Sequence, residues 1–150
     1  GRTKKEMSKV PAHWDLIGQV AAMRTSLAPD TLIVGNGDAE NHAHGQELAK
    51  QYGVDGMMIG RGVFQNPYVF AADGETMWAA VPREERIMLY RKQVQLFADT
   101  WQQGERNIKT LNKFCKVYIS DFDGAKELRE QLMAADTTDR LLVLLDAARQ

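Results

Sequence analysis

Two glycine turns, each closing a short apolar run, constrain the first half of this chain more than any other feature. Thr31-Leu32-Ile33-Val34 leads into Gly35-Asn36-Gly37-Asp38, and Gly56-Met57-Met58-Ile59 leads into Gly60-Arg61-Gly62. Between them, Glu40 to Tyr52 has helix-compatible composition and stops at Gly53, a residue suited to a helix C-terminus. Strand, turn, helix, strand, turn describes a parallel βαβ unit whose strands both empty towards one end. Runs this uniformly apolar predict strands covered on both faces. Glycine lets the main chain approach a ligand closely, and the N–H groups of such turns cradle an anion.

Around this unit the chain is simpler to place. Residues 1–12 are polar and basic and read as a loop ending at Pro11. From His13 to Leu27, the positions of Trp14, Ile17, Val20, Ala21 and Met23 predict an amphipathic helix. After Gly62, residues 63–70 suit a short capping helix or turn, and residues 71–81 read as a linker. Two parallel strands and two helices do not close a sheet, and they leave apolar edges unpaired. Residues 1–80 are therefore expected to be the last part of a larger α/β domain. In a (β/α)₈ barrel, the loops after the last two strands form a recurrent phosphate site.

From Pro82 onward no strand-like run is convincing, and four helices can be drawn. Pro82-Arg83-Glu84-Glu85 has proline and acids where a first turn favours them. Ile87, Tyr90, Val94, Phe97 and Trp101 then recur at helical spacing, and Gly104 is the expected stop. A second helix carries Ile108, Leu111, Cys115 and Tyr118 on one side. Asp121 or Asp123 is the expected cap of a third, containing Leu128 and Leu132, and Asp136-Thr137-Thr138-Asp139 opens a leucine-rich fourth. Residues 81–150 are thus expected to pack as a small helical bundle. The fold class is α/β plus all-α.

Bulk properties exclude several classes. The 150 residues are 44% hydrophobic with a formal net charge of −1, so no global field draws the chain to nucleic acid or membrane, and any such binding needs a local patch. No apolar run approaches the roughly 20 residues that span a bilayer. Cys115 is the only cysteine, so no internal disulfide forms, and a cytoplasmic setting is expected. It falls on an apolar stripe and reads as a packing thiol. His13, His42 and His44 do not make a metal set, because His42 and His44 diverge on a helix and no other ligands complete a site. Nothing in the sequence reports the oligomeric state.

One local patch does stand out. Arg106, Lys109, Lys113 and Lys116 recur at spacings of three, four and three, with no acid from residue 106 to 120. On one continuous helix they would line the face opposite the apolar stripe. Such a stripe either is a solvated face or neutralises RNA phosphates in a salt-dependent manner.

The turns and their surroundings resemble a known family. Ile33-Val34-Gly35-Asn36-Gly37-Asp38, then Val54-Asp55-Gly56-Met57-Met58-Ile59-Gly60-Arg61-Gly62 and Asn66-Pro67, resemble the tRNA-dihydrouridine synthases. Gly1-Arg2-Thr3, with Trp14 and Ile17, is similar to the family's His-Gly-Arg-Thr segment and the following helix. Lys113-Phe114, Tyr118, Gly124-Ala125 and Leu128-Arg129 resemble its C-terminal helical domain. The resemblance implies the end of a flavin-binding TIM barrel in residues 1–80 and a tRNA-binding helical domain in residues 81–150. It implies FMN on Asn36, Gly37, Asp38, Gly60 and Arg61, and tRNA on Arg106, Lys109, Lys113, Lys116 and Arg2, the last in a loop bordering the active site. For the parent enzyme it implies that NADPH reduces FMN, that hydride passes to C6 of a flipped uracil, and that C5 is protonated. The family's catalytic cysteine is expected upstream of Gly1, so this chain alone is expected to be inactive. Two alternatives are another FMN-dependent barrel oxidoreductase acting on a small molecule and a non-catalytic RNA-binding helical module.

Overall fold

The structure, a computed structural model, describes residues 2–6, 9–71, 76–102 and 104–149. It divides into two compact units, Gly1–Thr76 and Met77–Gln150.

The first unit runs α1 (Trp14–Leu27), β1 (Val34–Asn36), α2 (His42–Tyr52), β2 (Gly56–Met58) and α3 (Gly62–Gln65). The strands pair in parallel, with Val34 opposite Gly56, Gly35 opposite Met57 and Asn36 opposite Met58. The first strand begins later than its apolar run predicts and takes in Gly35 and Asn36, because the ladder to β2 reaches those residues. The second helix stops as expected at Gly53, whose φ of +67° is the left-handed conformation glycine adopts at low cost.

Only one face of this sheet is covered among the described residues. Trp14, Ala12, Ala39 and Leu48 form a small core with Ile17, Tyr52, Met57 and Ile59 against it. Val34 and Met58 are more than half exposed, which departs from the expectation of two covered faces. Helix α1 departs likewise: Trp14 and Ala21 are buried, whereas Val20 and Met23 point outward with Leu16 and Leu27.

The second unit is helical, with α4 (Arg83–Thr100), α5 (Asn112–Tyr118), α6 (Ala125–Ala134) and α7 (Thr138–Ala147). Ile87, Tyr90 and Val94 of α4 meet Leu111, Cys115, Ile119, Leu132, Leu141 and Leu145 in one core, all 1% exposed or less. Each large apolar side chain so buried stabilises by roughly 1.5–3 kcal/mol. Three boundaries differ from the sequence reading. Helix α4 ends at Thr100, ahead of Gly104. Neither Asp121 nor Asp123 caps α6, whose cap residue is Gly124 at φ +79°. The expected linker is partly structured: residues 72–75 lie outside the described residues, but Trp78–Ala80 form a 3₁₀ turn with Trp78 buried.

Arg86 explains why that turn is held. It is 3% exposed and donates to the carbonyls of Trp78, Val81 and Ser120, with its guanidinium 4.8 Å from the Trp78 ring centroid. A buried guanidinium persists only where its fork of donors is met in this way.

Candidate functional site

The first glycine turn is shaped by helix α1 as well as by its own sequence. Gly37 sits at φ +135°, and a Cβ there would lie 2.7 Å from that of Ala12. The Trp14 indole N–H donates to the Gly37 carbonyl at 3.0 Å, and the indole ring stacks on Tyr52 at 5.4 Å. The same ring lies where a Cβ on Gly35 would be, 2.7 Å away, so glycine is required at both positions.

Asp38 follows at φ +57°, a conformation that aspartate tolerates better than most residues. Its Oδ2 accepts from the Arg2 guanidinium and from the Ala12 N–H, the latter at 2.8 Å. Its Oδ1 lies 3.7 Å from Arg61 Nη2. The Arg2 hydrogen bond, more than any other influence, holds the Asp38 carboxyl below its ordinary range, with burial working against it. Asp38 does not cap the following helix. Asn41 caps α2 instead, its side chain accepting from the His44 N–H at 2.9 Å.

The second turn is built differently. A Cβ on Gly62 would meet the Glu40 carbonyl oxygen and Ile59 Cγ2, each at 2.8 Å, so glycine there is a packing requirement. A Cβ on Gly60 would meet nothing within 4 Å. Arg61 leaves the surface between them, its side chain 70% exposed.

Both turns open into one cavity of about 580 Å³ at the C-terminal ends of the strands. Asn36, Gly37, Asp38, Gly60 and Arg61 all line it, and so does Arg2. Arg2, expected as an RNA contact, donates from its guanidinium to Asp38 and to the Val10 carbonyl. Gly1, which belongs to the same sequence segment, lies outside the described residues. Chemically the cavity offers a guanidinium fork, an exposed Asn36 and a glycine-flanked backbone, a donor set suited to an oxyanion.

Comparison with known proteins identifies the lineage. The sequence model of the family described as Dihydrouridine synthase (Dus) matches residues 1–150. The chain is 43% identical over 149 residues to a Bacillus subtilis (strain 168) protein named "Probable tRNA-dihydrouridine synthase 2", covering 97% of this chain and 43% of that protein. It is 42% identical, with the same coverages, to proteins named "Probable tRNA-dihydrouridine synthase" from Staphylococcus epidermidis (strain ATCC 12228 / FDA PCI 1200) and Staphylococcus aureus (strain N315). This chain belongs to the dihydrouridine synthase family. It spans about 43% of the length of these relatives.

In this chain the basic residues of the second unit do not form the continuous stripe that their spacing predicts. Residues Ile108–Thr110 form a 3₁₀ turn, α5 starts only at Asn112, and Arg106 precedes both. Lys109 is committed elsewhere: its Nζ donates to the Met133 carbonyl at 3.1 Å and lies 3.5 Å from Asp136. Lys113 and Lys116 stay exposed on one face of α5. Arg106 is exposed too, its guanidinium 5.1 Å from the Trp101 ring centroid.

Cys115 and His13 make contacts within the fold. Cys115 is 1% exposed, and burial pushes its thiol up from the ordinary range. His13 pairs with Glu6 at 3.0 Å. Among the described residues, no three His, Cys, Asp or Glu side chains group as a metal site, and no helix is long and apolar enough to cross a membrane. A second hollow of about 500 Å³, where α6 gives way to α7, is lined by Gln131, Thr137 and Arg140 and shares no residue with the glycine turns.

Proposed function

We propose that this chain supplies the cofactor-phosphate end and a tRNA-contacting helical unit of a tRNA-dihydrouridine synthase, acting in the cytoplasm with FMN and NADPH. In this reading β1 and β2 are the last two strands of a TIM barrel, residues 1–80 belong to that barrel, and residues 81–150 form the tRNA-binding domain. The observation that carries the cofactor assignment is the convergence of Asn36, Gly37, Asp38, Gly60 and Arg61 on one cavity at the strand ends. The relatives named as tRNA-dihydrouridine synthases support the substrate.

The residues fit a phosphomonoester. Arg61 presents an exposed fork whose ion partner, Asp38, is 3.7 Å away, so an anion can engage it at little cost. Gly60 leaves open space where a side chain would stand, which admits a phosphate close to the backbone. Asn36 offers a neutral amide to a ribityl hydroxyl. Asp38 acts by position, since it keeps Arg2 and residue 12 against the turn and its charge disfavours direct phosphate contact. Bound FMN, reduced by NADPH, supplies the hydride that saturates the uracil C5–C6 bond. The proton to C5 is assigned to no residue of this chain; Cys115, buried with a raised thiol pKa, does not provide it. Lys113, Lys116 and Arg106 provide exposed charge for tRNA phosphates, whereas Arg2 and Lys109 serve structural contacts.

Titration of the chain with FMN and with riboflavin, followed by flavin fluorescence, tests the phosphate assignment. FMN should bind more tightly than riboflavin, and Arg61→Ala should remove about tenfold or more of FMN affinity while leaving riboflavin unchanged. Equal binding of the two flavins, or an unaltered FMN affinity in Arg61→Ala, would refute it.

A further inference from the structure

The apolar stripe of α4 does not stay in the core. Ile87, Tyr90 and Val94 are at most 1% exposed, yet Trp101, the last member, is 36% exposed just past the helix end. Arg106 returns across the following loop to place its guanidinium 5.1 Å from the Trp101 ring centroid. That separation is within the range of a cation–π contact, which orients the guanidinium and lowers the entropy it would lose on binding. Among the described residues Arg106 makes no ion pair or side-chain hydrogen bond, and it is exposed beside the Trp101 ring.

The surroundings say what such a pair would take. Downstream of Arg106 no acid occurs until Asp121, and Lys113 and Lys116 are exposed cations without a described partner. Lys109, which the spacing ranks with them, is tied to the C-terminal end of α6 and lies 3.5 Å from Asp136. An exposed indole carrying a guanidinium, in the same unit as the exposed Lys113 and Lys116, combines a stacking surface with phosphate donors. This is the chemistry that holds unpaired nucleotides.

We infer that Trp101 and Arg106 form a nucleotide-binding platform for single-stranded RNA. An unpaired base stacks on the indole–guanidinium pair, and the guanidinium edge donates to a phosphate of the same strand. Lys113 and Lys116 add charge that is indifferent to sequence. The inference rests on the proposed RNA substrate and deepens it, because it names where the helical unit engages a base.

Binding of unmodified tRNA to the full chain, measured by fluorescence anisotropy across a salt series with inorganic polyphosphate as a charge-only probe, tests it. Trp101→Leu and Arg106→Lys should each weaken tRNA binding by roughly 5- to 100-fold, the loss of one stacked base. Both should leave polyphosphate binding and the salt slope unchanged. Trp101→Phe, which keeps a ring on the surface, should recover most of the affinity, and this guards against a folding artefact in Trp101→Leu. Arg106→Ala should lose more and reduce the salt slope by about one. Wild-type affinity in both Trp101→Leu and Arg106→Lys overturns the platform and leaves the RNA reading standing. No tRNA binding by the wild-type chain at low salt overturns both.

Discussion

The indole N–H of Trp14 donates to the carbonyl of Gly37 at 3.0 Å, tying the start of α1 to the first glycine turn. The same ring occupies the space beside Gly35, so one side chain determines the path of β1 as it leaves the sheet. The cavity wall therefore depends on a residue more than 20 positions away in sequence.

Replacing Trp14 by Phe should destabilise the first unit by about 1–3 kcal/mol, since the Gly37 carbonyl loses its donor in a half-buried setting. Gly35→Ala should cost a similar amount through overpacking against the ring. Chemical denaturation monitored by near-ultraviolet circular dichroism reports both. A double mutant with the smaller Trp14→Leu should recover part of the Gly35→Ala loss, because the colliding ring is gone.

Three of the turn glycines, Gly37, Gly60 and Gly62, should separate by role. Gly62→Ala is expected to destabilise by about 1–3 kcal/mol, because its Cβ would meet a backbone carbonyl at 2.8 Å. Gly37→Ala adds a positive-φ penalty to its collision with Ala12. Gly60→Ala should fold normally and instead weaken flavin-phosphate binding, as the space it fills is the space proposed for the ligand. Thermal melts and FMN titrations on the three variants would show whether folding and binding part in this way.

Acid should release the N-terminal segment late. Asp38 is held below the ordinary carboxylate range, first by Arg2. A depressed folded-state pKa means that its contribution is complete above the unfolded value, near 3.9, and is lost as pH falls through the folded one. Glu6 acts in the same direction, held at about 2 chiefly by the Thr3 N–H and hydroxyl. The contacts that Arg2, Glu6 and Ala12 make should thus persist through mildly acidic solution and loosen only below about pH 4. Carboxyl-carbon NMR titration checks this, and a midpoint for Asp38 at or above the unfolded value would count against the tether.

In the second unit, Arg86→Met should cost about 2–4 kcal/mol, since it strands the carbonyls of Trp78, Val81 and Ser120. Asp121→Asn should change stability by less than about 0.5 kcal/mol, because that carboxylate is 80% exposed and 3.9 Å from the guanidinium. Urea unfolding of the two variants distinguishes a role resting on carbonyl hydrogen bonds from one resting on an ion pair.

Much of the local structure was legible because its causes are local. Gly53 stops α2 through its own φ, and Thr137 opens α7 by accepting from the Arg140 N–H. The apolar spacing of Ile87, Tyr90 and Val94 needed only the helical period to place them inside. Errors arose where a long-range contact competed with a local signal. Nothing in the local sequence tied Asp38 to Arg2 and the Ala12 N–H, which the tertiary structure brings to it. Lys109 had the spacing of a surface stripe, but a 3₁₀ turn broke the helix and the carbonyls at the end of α6 drew its ammonium in.

By itself, the sequence determined that two parallel strands would end in glycine turns, with a helix between them and a helical unit after them. Those features follow from backbone freedom and residue periodicity, which act within a few residues. Only the tertiary structure decided which cations are committed and which stay exposed. Arg2 is neutralised 36 residues away by Asp38, Lys109 is held 24 residues away by Met133, Arg61 stays 70% exposed at 3.7 Å from Asp38, and Arg106 is exposed against Trp101. An ion's partner depends on distance in space, and no spacing rule along the chain encodes that.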